Sequence, residues 1–439
     1  MTVATRTVED LRAIVGAEPL ITGERVEAYR LGRKTPLAVV MPGDEEEVSR
    51  ILAFAWEADL RVVPWGGGCY QSIGNPPARY DLALDLTRLN RLIAHEPADM
   101  TATAQAGVRM VELQRRLADH GQFLALDPPM SEHATLGGVL ATRLGGPLRC
   151  RYGTARDLIL GMRVAHADGT ITQAGAKVVK NATGYDVTKL YLGSHGTLGI
   201  ILEATFRLYP RPEAERGWWL ETPDLEAAQV LANRILSSHL VPNRVELMEE
   251  EASRACGFSG EGLVVSISGL LETVEGRRAD LERIVGECGS RLAELRHAAE
   301  TWNVLTDFPW RNPGRNSRSL EAIWLGDVLP ADCAKAVRTI RKAMRQPAAV
   351  RIAATVSHGA LRGSVSGETP EEIVGDLMAA RHALVGLGGN LVVMKYPETA
   401  HDRIDTWGTA PDGLGVMRRL KVAFDAKGIL NPERFVGGI

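Results

Sequence analysis

The stretch Trp65-Gly66-Gly67-Gly68-Cys69-Tyr70-Gln71-Ser72-Ile73-Gly74 decides the fold of this chain. It follows the run Arg61-Val62-Val63, which predicts a strand that leads directly into a glycine-rich loop. Glycine has no Cβ, so the backbone here can adopt positive φ and approach a ligand closely. Successive N–H groups can then point into one concavity and hold a pyrophosphate. The pattern is neither the dinucleotide fingerprint nor the P-loop, and a plain flexible turn is the alternative interpretation.

The segment before this loop predicts the start of an α/β unit. Residues 37–40 predict a short strand, and Asp44 is followed three residues later by Glu47, as in a capping box. An apolar face at helical spacing comes next and consists of Val48, Ile51, Leu52 and Ala55. After the loop, further strands are predicted at residues 82–86, 93–95 and 101–106, followed by a helix that buries Met110, Leu113 and Leu117.

A hairpin and a pair of prolines predict where the first domain ends. Residues 161–174 contain the Asp168-Gly169 pair that is typical of hairpin turns. The β-rich run 198–208 ends at Pro210-Arg211-Pro212, where regular structure breaks. Beyond it we predict an α+β arrangement of helices and strands. The helices lie at 224–238, 273–288 and 331–345, the strands at 263–268, 322–325, 350–356 and 391–394, and a polar loop at 312–319.

Two further glycine clusters lie between the loop and this boundary. In Thr135-Leu136-Gly137-Gly138, threonine can cap a helix whose first turn offers free N–H groups and a partial positive charge to an anion. Close packing of a helix on a strand is the alternative. The third cluster follows residues 177–186 and contains Gly193, Gly196 and Gly199. Three such clusters in one domain indicate that the backbone approaches a ligand.

Composition excludes several classes of protein. A net charge of −3 gives no sign of a nucleic-acid partner. No stretch reaches the ~20 apolar residues of a membrane span, and the N-terminus has no apolar signal core, so we expect a cytoplasmic protein. The cysteines are odd in number and scattered, which argues against a disulfide framework, a zinc site or an iron–sulfur cluster. They are Cys69, Cys150, Cys256, Cys288 and Cys333.

Together with Arg151-Tyr152-Gly153, Lys180-Asn181-x-x-Gly184-Tyr185-Asp186 and Gly196-Thr197-Leu198-Gly199, these motifs form a characteristic order. The tail at residues 425–435 is similar to a D-P-x-G-x-x-N-P-x-R signature. In this order the motifs resemble those of the FAD-binding type 4 oxidoreductases, the vanillyl-alcohol-oxidase-like flavoproteins with the PCMH-type fold.

The resemblance implies an α+β fold with a PCMH-type FAD-binding domain of two α/β subdomains over residues 1–212. An α+β cap domain with an antiparallel sheet follows over 213–405, and a C-terminal helix and tail, 406–439, returns to the FAD site. The FAD pyrophosphate is expected on the first loop and on the Thr135 turn, with residues 196–201 near the adenine-ribose side and Asn431 near the flavin ring. The cofactor-binding residues implied are Pro64, Trp65, Gly66, Gly67, Gly68, Cys69, Gln71, Ser72, Pro128, Thr135, Leu136, Gly137, Gly138, Ala141, Tyr152, Gly153, Gly196, Gly199, Ile200, Ile201 and Asn431.

Two departures from the family pattern refine this interpretation. Covalent flavin attachment in the wider superfamily often uses a histidine of the first loop, where this chain has Cys69, so we predict non-covalent FAD. Members that oxidise D-2-hydroxy acids carry an H-G-x-G-D-G-N-L-H motif and a later E-H-G. Residues 357–365 keep only the His-Gly start, and residues 388–397 contain no histidine. A metal site needs several convergent ligands, so we predict no metal.

With these departures, and with Trp407-Gly408 and residues 417–421, the sequence resembles that of the smaller FAD-binding subunit of bacterial glycolate oxidases. Such a subunit works beside a second, larger flavoprotein subunit and an iron–sulfur subunit, and these partners would hold it at the inner face of the membrane. The function implied is FAD-dependent oxidation of a small 2-hydroxy acid, glycolate or D-lactate. A non-catalytic FAD-containing electron-relay or structural subunit is the alternative, and a free-standing oxidase of another alcohol is a third.

Four residues are candidates for the chemistry itself. His358 is the candidate base that takes the hydroxyl proton while hydride passes to the flavin. A histidine that is merely hydrogen-bonded on a sheet is the alternative. Arg351, Arg362 and Lys395 are candidates for binding the substrate carboxylate, because they lie on or beside neighbouring predicted strands. Each of them could instead be a solvated surface cation.

Overall fold

The structure, a computed structural model, describes residues 3–175, 187–311 and 320–439. Helices combine with a four-stranded, a five-stranded, a two-stranded and an eight-stranded sheet in these ranges, which confirms the predicted α+β fold. The predicted motif at 177–186 and the predicted loop at 312–319 lie outside the described residues.

The first subdomain carries the glycine loop at the end of one strand. Its sheet consists of β1 (Leu20–Ile21), β2 (Ala38–Val40), β3 (Val62–Trp65) and β4 (Leu82–Asp85) in the order β1-β2-β4-β3, with β2, β4 and β3 parallel. The helices are α1 (Val3–Val15), α2 (Glu45–Glu57) and a 3₁₀ turn, Gly23–Tyr29. The predicted cap is confirmed, because Asp44 accepts the Glu47 N–H at 2.8 Å. The predicted apolar face of α2 is buried between this sheet and the next.

The second subdomain is built on a five-stranded antiparallel sheet. Its strands are β5 (Leu92–Glu96), β6 (Thr101–Gln105), β8 (Ile159–Ala165), β9 (Ile171–Gly175) and β10 (Ile200–Arg207), in the order β5-β6-β10-β8-β9. A two-stranded ribbon pairs β7 (Gln122–Phe123) with β11 (Tyr209–Pro210). The helices are α3 (Met110–Ala118), α4 (Leu136–Thr142), α5 (Arg149–Tyr152), α6 (Ala155–Leu158), α7 (Thr188–Tyr191) and a 3₁₀ turn, Pro97–Asp99. The predicted hairpin is the β8–β9 pair.

The cap contains the largest sheet, whose eight strands are antiparallel. They are β12 (Ala214–Thr222), β13 (Arg244–Met248), β14 (Glu261–Gly269), β15 (Arg291–Glu294), β16 (Leu320–Asp327), β17 (Val350–Thr355), β18 (Ala360–Gly367) and β19 (Asn390–Lys395), in the order β15-β12-β14-β13-β17-β18-β16-β19. The helices are α8 (Leu225–Leu236), α9 (Glu250–Ala255), α10 (Leu271–Glu287), α11 (Ala298–Asp307), α12 (Cys333–Ala343) and α13 (Pro370–Val385), with 3₁₀ turns at Pro330–Asp332, Pro347–Ala349, Val356–His358 and Glu398–Arg403.

The two faces of this sheet contact different partners. Trp324 of β16 and Val393 of β19 are fully buried in the core shared with helices such as α12 and α13. Their neighbours Ile323 and Met394 belong instead to the core of the second subdomain. Successive side chains of a strand point to opposite faces, so one face holds the cap helices and the other covers the FAD-binding half.

The C-terminal tail adds to the sheet of the first subdomain. It begins with helix α14 (Leu414–Phe424) and ends in a 3₁₀ turn, Val436–Gly438. Beyond α14, the Val62 N–H donates to the Ile429 carbonyl, and the Asn431 N–H donates to the Val62 carbonyl, both at 2.8 Å. The tail therefore runs beside β3 just before the glycine loop.

Candidate functional site

Most of the predicted cofactor residues meet at one cavity of about 780 Å³, part of which is open to solvent. This first cavity lies where the glycine loop, α4, the 195–201 segment and the tail converge. The predicted residues that line it are Pro64, Trp65, Gly66, Gly67, Gly68, Cys69, Gln71, Thr135, Gly137, Gly138, Ala141, Gly196, Gly199, Ile200, Ile201 and Asn431.

The glycine loop offers a row of unused backbone donors to the first cavity. Residues 66–70 all line it, and none of their N–H groups donates to an acceptor in the described part of the chain. Gly68 has φ of +75°, a conformation that glycine adopts without a steric cost. Backbone N–H groups that have no protein acceptor are free to bind an anionic ligand.

The glycines of this loop also permit close packing against a second segment. A Cβ at Gly66 would lie 2.1 Å from Thr135 Oγ1, and one at Gly67 would lie 1.7 Å from the His133 carbonyl oxygen. The loop is therefore wedged against residues 133–135, which argues against the alternative of a plain flexible turn.

The Thr135 turn differs from its prediction. Thr135 caps α4, as expected, by accepting the Gly138 N–H at 3.3 Å. The prediction of free N–H groups is wrong for Leu136 and Gly137, which donate to the carbonyls of Val108 and Ala106 at 2.8 and 2.7 Å. The Leu136 side chain is fully buried. The glycine at 137 serves close packing, because a Cβ there would lie 2.8 Å from that of Ala106.

Arg434, which the sequence analysis did not select, fixes the far end of the glycine loop. Its buried guanidinium donates to Gln71 Oε1 at 2.7 Å, to the Gln71 carbonyl at 2.6 Å and to the Ile73 carbonyl at 2.7 Å. Burial lowers the pKa of Arg434 to about 10, so it stays charged at neutral pH. The arginine of the tail signature was the available signal, but only contacts across the fold show what it holds.

Asn431 and His195 lie together in the lining of the first cavity. Asn431 Nδ2 donates to the His195 carbonyl at 2.5 Å, whereas the buried Asn431 Oδ1 has no partner among the described residues. Burial, and then the charge of Arg434, lowers the pKa of His195 to about 3, so its imidazole is neutral at physiological pH. The sequence analysis missed His195, although it lies inside the third glycine cluster.

A second cavity adjoins the first and reaches the cap. It encloses about 920 Å³, part of it open to solvent, and shares Ile73, Thr142 and His195 with the first cavity. Leu325, Val392 and Met394 of the cap sheet form its opposite wall. Its charged lining residues are Asp127, Arg143 and Arg149.

The remaining predicted cofactor residues do not line the first cavity. Ser72 donates to the Met394 carbonyl at 2.8 Å and so links the loop to the cap. Gly153 lines the second cavity. The Tyr152 ring packs against Tyr209, with ring centroids 4.8 Å apart, and Pro128 is buried beside Asp127.

The four residues predicted for the chemistry do not line the first or the second cavity. His358 is exposed on the turn between β17 and β18, where Ser357 lies 2.8 Å from its Nδ1. Arg362 pairs with the buried Glu246 at 2.6 Å, so it compensates a charge inside the cap. Lys395 lines a third groove, which borders the glycine loop and shares residues 65–69 with the first cavity.

These features fit FAD. The free N–H groups of residues 66–70 suit a pyrophosphate, and Asn431 Oδ1 offers an unused acceptor for the N–H of a ring. Among the described residues, no cluster of three or more His, Cys, Asp or Glu side chains is placed to hold a metal. No described helix is long and apolar enough to cross a membrane.

Comparison with known families agrees with the site. Residues 36–175 match the FAD binding domain, and residues 407–435 match the C-terminal domain of the FAD linked oxidases. The chain therefore carries an FAD binding domain and a short segment that matches the C-terminal domain of the FAD linked oxidases. The predicted resemblance and the FAD cofactor are confirmed.

Individual proteins are similar to this chain over part of their length. It is 32% identical over 275 residues to the glycolate oxidase subunit GlcD of Bacillus subtilis, covering 61% of this chain and 58% of that protein. It is 31% identical over 299 residues to the mitochondrial cytochrome-linked D-lactate dehydrogenase of Arabidopsis thaliana, covering 66% and 52%. The matches thus span little more than half of these relatives. The structure of p-cresol methylhydroxylase shares the fold, with a TM-score of 0.78 at 16% identity over 98% of this chain and 96% of that one.

Proposed function

We propose that the chain is an FAD-dependent oxidoreductase that oxidises a small 2-hydroxy acid, glycolate or D-lactate, by hydride transfer to FAD. The observation that carries this proposal is the second cavity, which shares residues with the first cavity, the candidate FAD site, and is bordered by the cap sheet. A small substrate held there would lie beside the cofactor and against the cap sheet. The two relatives above, which their names describe as acting on glycolate and D-lactate, support this substrate class.

Two titratable side chains could take the hydroxyl proton when the bound FAD accepts the hydride. His195, in the shared wall, is neutral at physiological pH but is a weak base because its pKa is about 3. Asp127 lines the second cavity, and burial raises its pKa to about 6. A base is most effective when its pKa lies near the working pH, so we assign the proton transfer to Asp127.

Anaerobic flavin reduction tests this function. We expect the purified yellow chain to lose its long-wavelength flavin absorbance when glycolate or D-lactate is added without oxygen. The reduction rate should rise with pH through about 6 and then level off, since Asp127 must be deprotonated to accept the proton. Acetate, which has the carboxylate but no hydroxyl group, is the matched control and should leave the flavin oxidised.

Two other outcomes would contradict either the assignment of Asp127 as the base or the catalytic function itself. A rate that stays flat from pH 5 to pH 8 would exclude Asp127 and favour His195, which is already neutral over that range. A chain that holds FAD and stays oxidised with both acids would favour the alternative function, a non-catalytic electron-relay or structural subunit.

The flavin is proposed to be held without a covalent bond. Cys69 is the thiol of the glycine loop, and burial raises its pKa to about 11, so at neutral pH it is a protonated and weak nucleophile. We expect acid precipitation to release all the FAD into the supernatant, and Cys69→Ser to keep the same flavin content. Yellow colour that stays with the precipitated protein would contradict this.

The proposal includes a complex of the glycolate-oxidase type. The partners would be a second flavoprotein subunit and an iron–sulfur subunit, which would hold this chain at the cytoplasmic face of the membrane. The similarity to a protein named as a glycolate oxidase subunit supports such an arrangement. Iron analysis of the material that co-purifies with the native chain tests it, and a chain isolated without iron or partners would contradict it.

A further inference from the structure

The second cavity is lined by two arginine side chains that form no ion pair within 4 Å with a carboxylate of the described residues. Arg149 comes from α5, and Arg143 follows α4 in the left-handed conformation, with φ of +57°. Among the residues that the structure describes, neither guanidinium has a hydrogen bond or an ion pair within 4 Å. Both therefore present unused donors to the cavity.

Arg149 is the more buried of the two. Its Nε is inaccessible to solvent and has no acceptor. Burial, and then the positive charge of Arg143, lowers the pKa of Arg149. Five other arginines have an equally buried Nε without an acceptor, but each donates a hydrogen bond through another guanidinium nitrogen, which Arg149 does not do within the described residues. A charged donor left without an acceptor is unfavourable, so this difference points to an anion that completes the site.

The acidic groups nearby are already paired. Asp127 Oδ2 accepts the Leu148 N–H at 2.9 Å and lies 3.6 Å from Arg244 Nε. Glu246 is fully buried and pairs with Arg362. Asp157 accepts the Thr154 N–H at 2.8 Å and also lies near Arg143. No described carboxylate lies within 4 Å of the Arg149 guanidinium, so Arg149 has no direct anionic partner among the described residues.

We infer that Arg149 binds the carboxylate of the substrate in the second cavity, with Arg143 as a second, exposed cation at the rim. A guanidinium matches a carboxylate through two parallel hydrogen bonds, which fixes orientation as well as affinity. The site differs from Arg351, Arg362 and Lys395, which the sequence suggested. This inference rests on the proposed function for its substrate, but the anion site can be tested without turnover.

Oxalate is the probe for binding, because it has two carboxylates and no C–H bond from which hydride could leave. We expect Arg149→Met to raise the Kd of oxalate on the FAD-loaded chain by about 10- to 100-fold, the usual effect of losing a charge-assisted hydrogen-bonded pair. The KM for glycolate should rise in parallel, while the FAD content stays unchanged. Arg149→Lys, which keeps the charge but not the planar fork, should fall in between.

The matched control is Arg156→Met on the adjacent helix α6, because Arg156 is exposed and lines neither cavity. If Arg149→Met fails to fold, the rim variant Arg143→Met should still weaken oxalate binding several-fold. Oxalate binding that is absent, or equal in wild type and in the Arg149 and Arg143 variants, would overturn the inference even if glycolate reduces the flavin. Arg149-dependent oxalate binding in a chain that never oxidises a hydroxy acid would support the site and overturn the proposed function.

Discussion

Replacing Arg434 by alanine is expected to weaken FAD binding by about 100-fold or more. The guanidinium makes three hydrogen bonds to one end of the glycine loop, two of them to the carbonyls of Gln71 and Ile73. Removing it leaves buried carbonyl groups without donors, at about 1–3 kcal/mol each. About 1.4 kcal/mol corresponds to a tenfold change in affinity. Loss of these hydrogen bonds would also disturb the loop geometry that exposes the N–H groups of residues 66–70, so we expect the FAD affinity to fall by about 100-fold.

The measurement is the Kd of FAD by fluorescence titration of the apoprotein, with circular dichroism to show that the variant is folded. Arg418→Ala is the matched control, because Arg418 lies in the same tail but is exposed, and within the described residues its one hydrogen bond goes to the Gly437 carbonyl, at 3.0 Å. Arg434→Lys should restore part of the affinity, since one ammonium group cannot reach all three acceptors. A Kd for Arg434→Ala within threefold of wild type would show that the loop holds its shape without the tail.

The second large effect is expected for Gly67→Ala. The added Cβ would lie 1.7 Å from the His133 carbonyl oxygen, which belongs to the backbone and cannot rotate away as a side chain would. Either the loop or the segment leading to Thr135 must move by more than an ångström, and overpacking of this kind costs about 1–3 kcal/mol or more. Both segments line the FAD cavity, so we expect an unstable chain that is purified almost without flavin.

Thermal unfolding and the ratio of flavin to protein absorbance measure this effect. The matched control is Gly276→Ala in α10, where an added Cβ meets no atom within 4 Å. In that exposed helical position alanine should be neutral or stabilise the fold by about 0.5–1 kcal/mol. A Gly67→Ala variant with a normal melting temperature and a full complement of FAD would mean that the loop is not held against residues 133–135.

Elements whose local pattern agrees with their final environment were predictable. The cap at Asp44 and the buried face of α2 follow from the capping box and from helical spacing, and both are confirmed. By contrast, β13 and β18 were missed, because β13 carries Glu246 and β18 carries Arg362 between small and polar residues. These two side chains are stable inside a sheet only because they pair with each other at 2.6 Å across 116 residues of sequence.

The sequence by itself determined the fold class, the glycine loop and the cofactor that the loop accommodates. These features follow from local patterns: the glycine spacing, a capping threonine and the tail signature. The chemistry of such patterns can be predicted from the sequence alone. Only the tertiary structure decided which N–H groups remain free, which arginine holds the loop and which arginines face the second cavity. The sequence does not distinguish an arginine that pairs with a buried carboxylate from an arginine whose guanidinium is free to bind an anionic ligand. Their difference lies in partners that folding brings together from distant parts of the chain, as it does for Arg362 with Glu246 but not for Arg149.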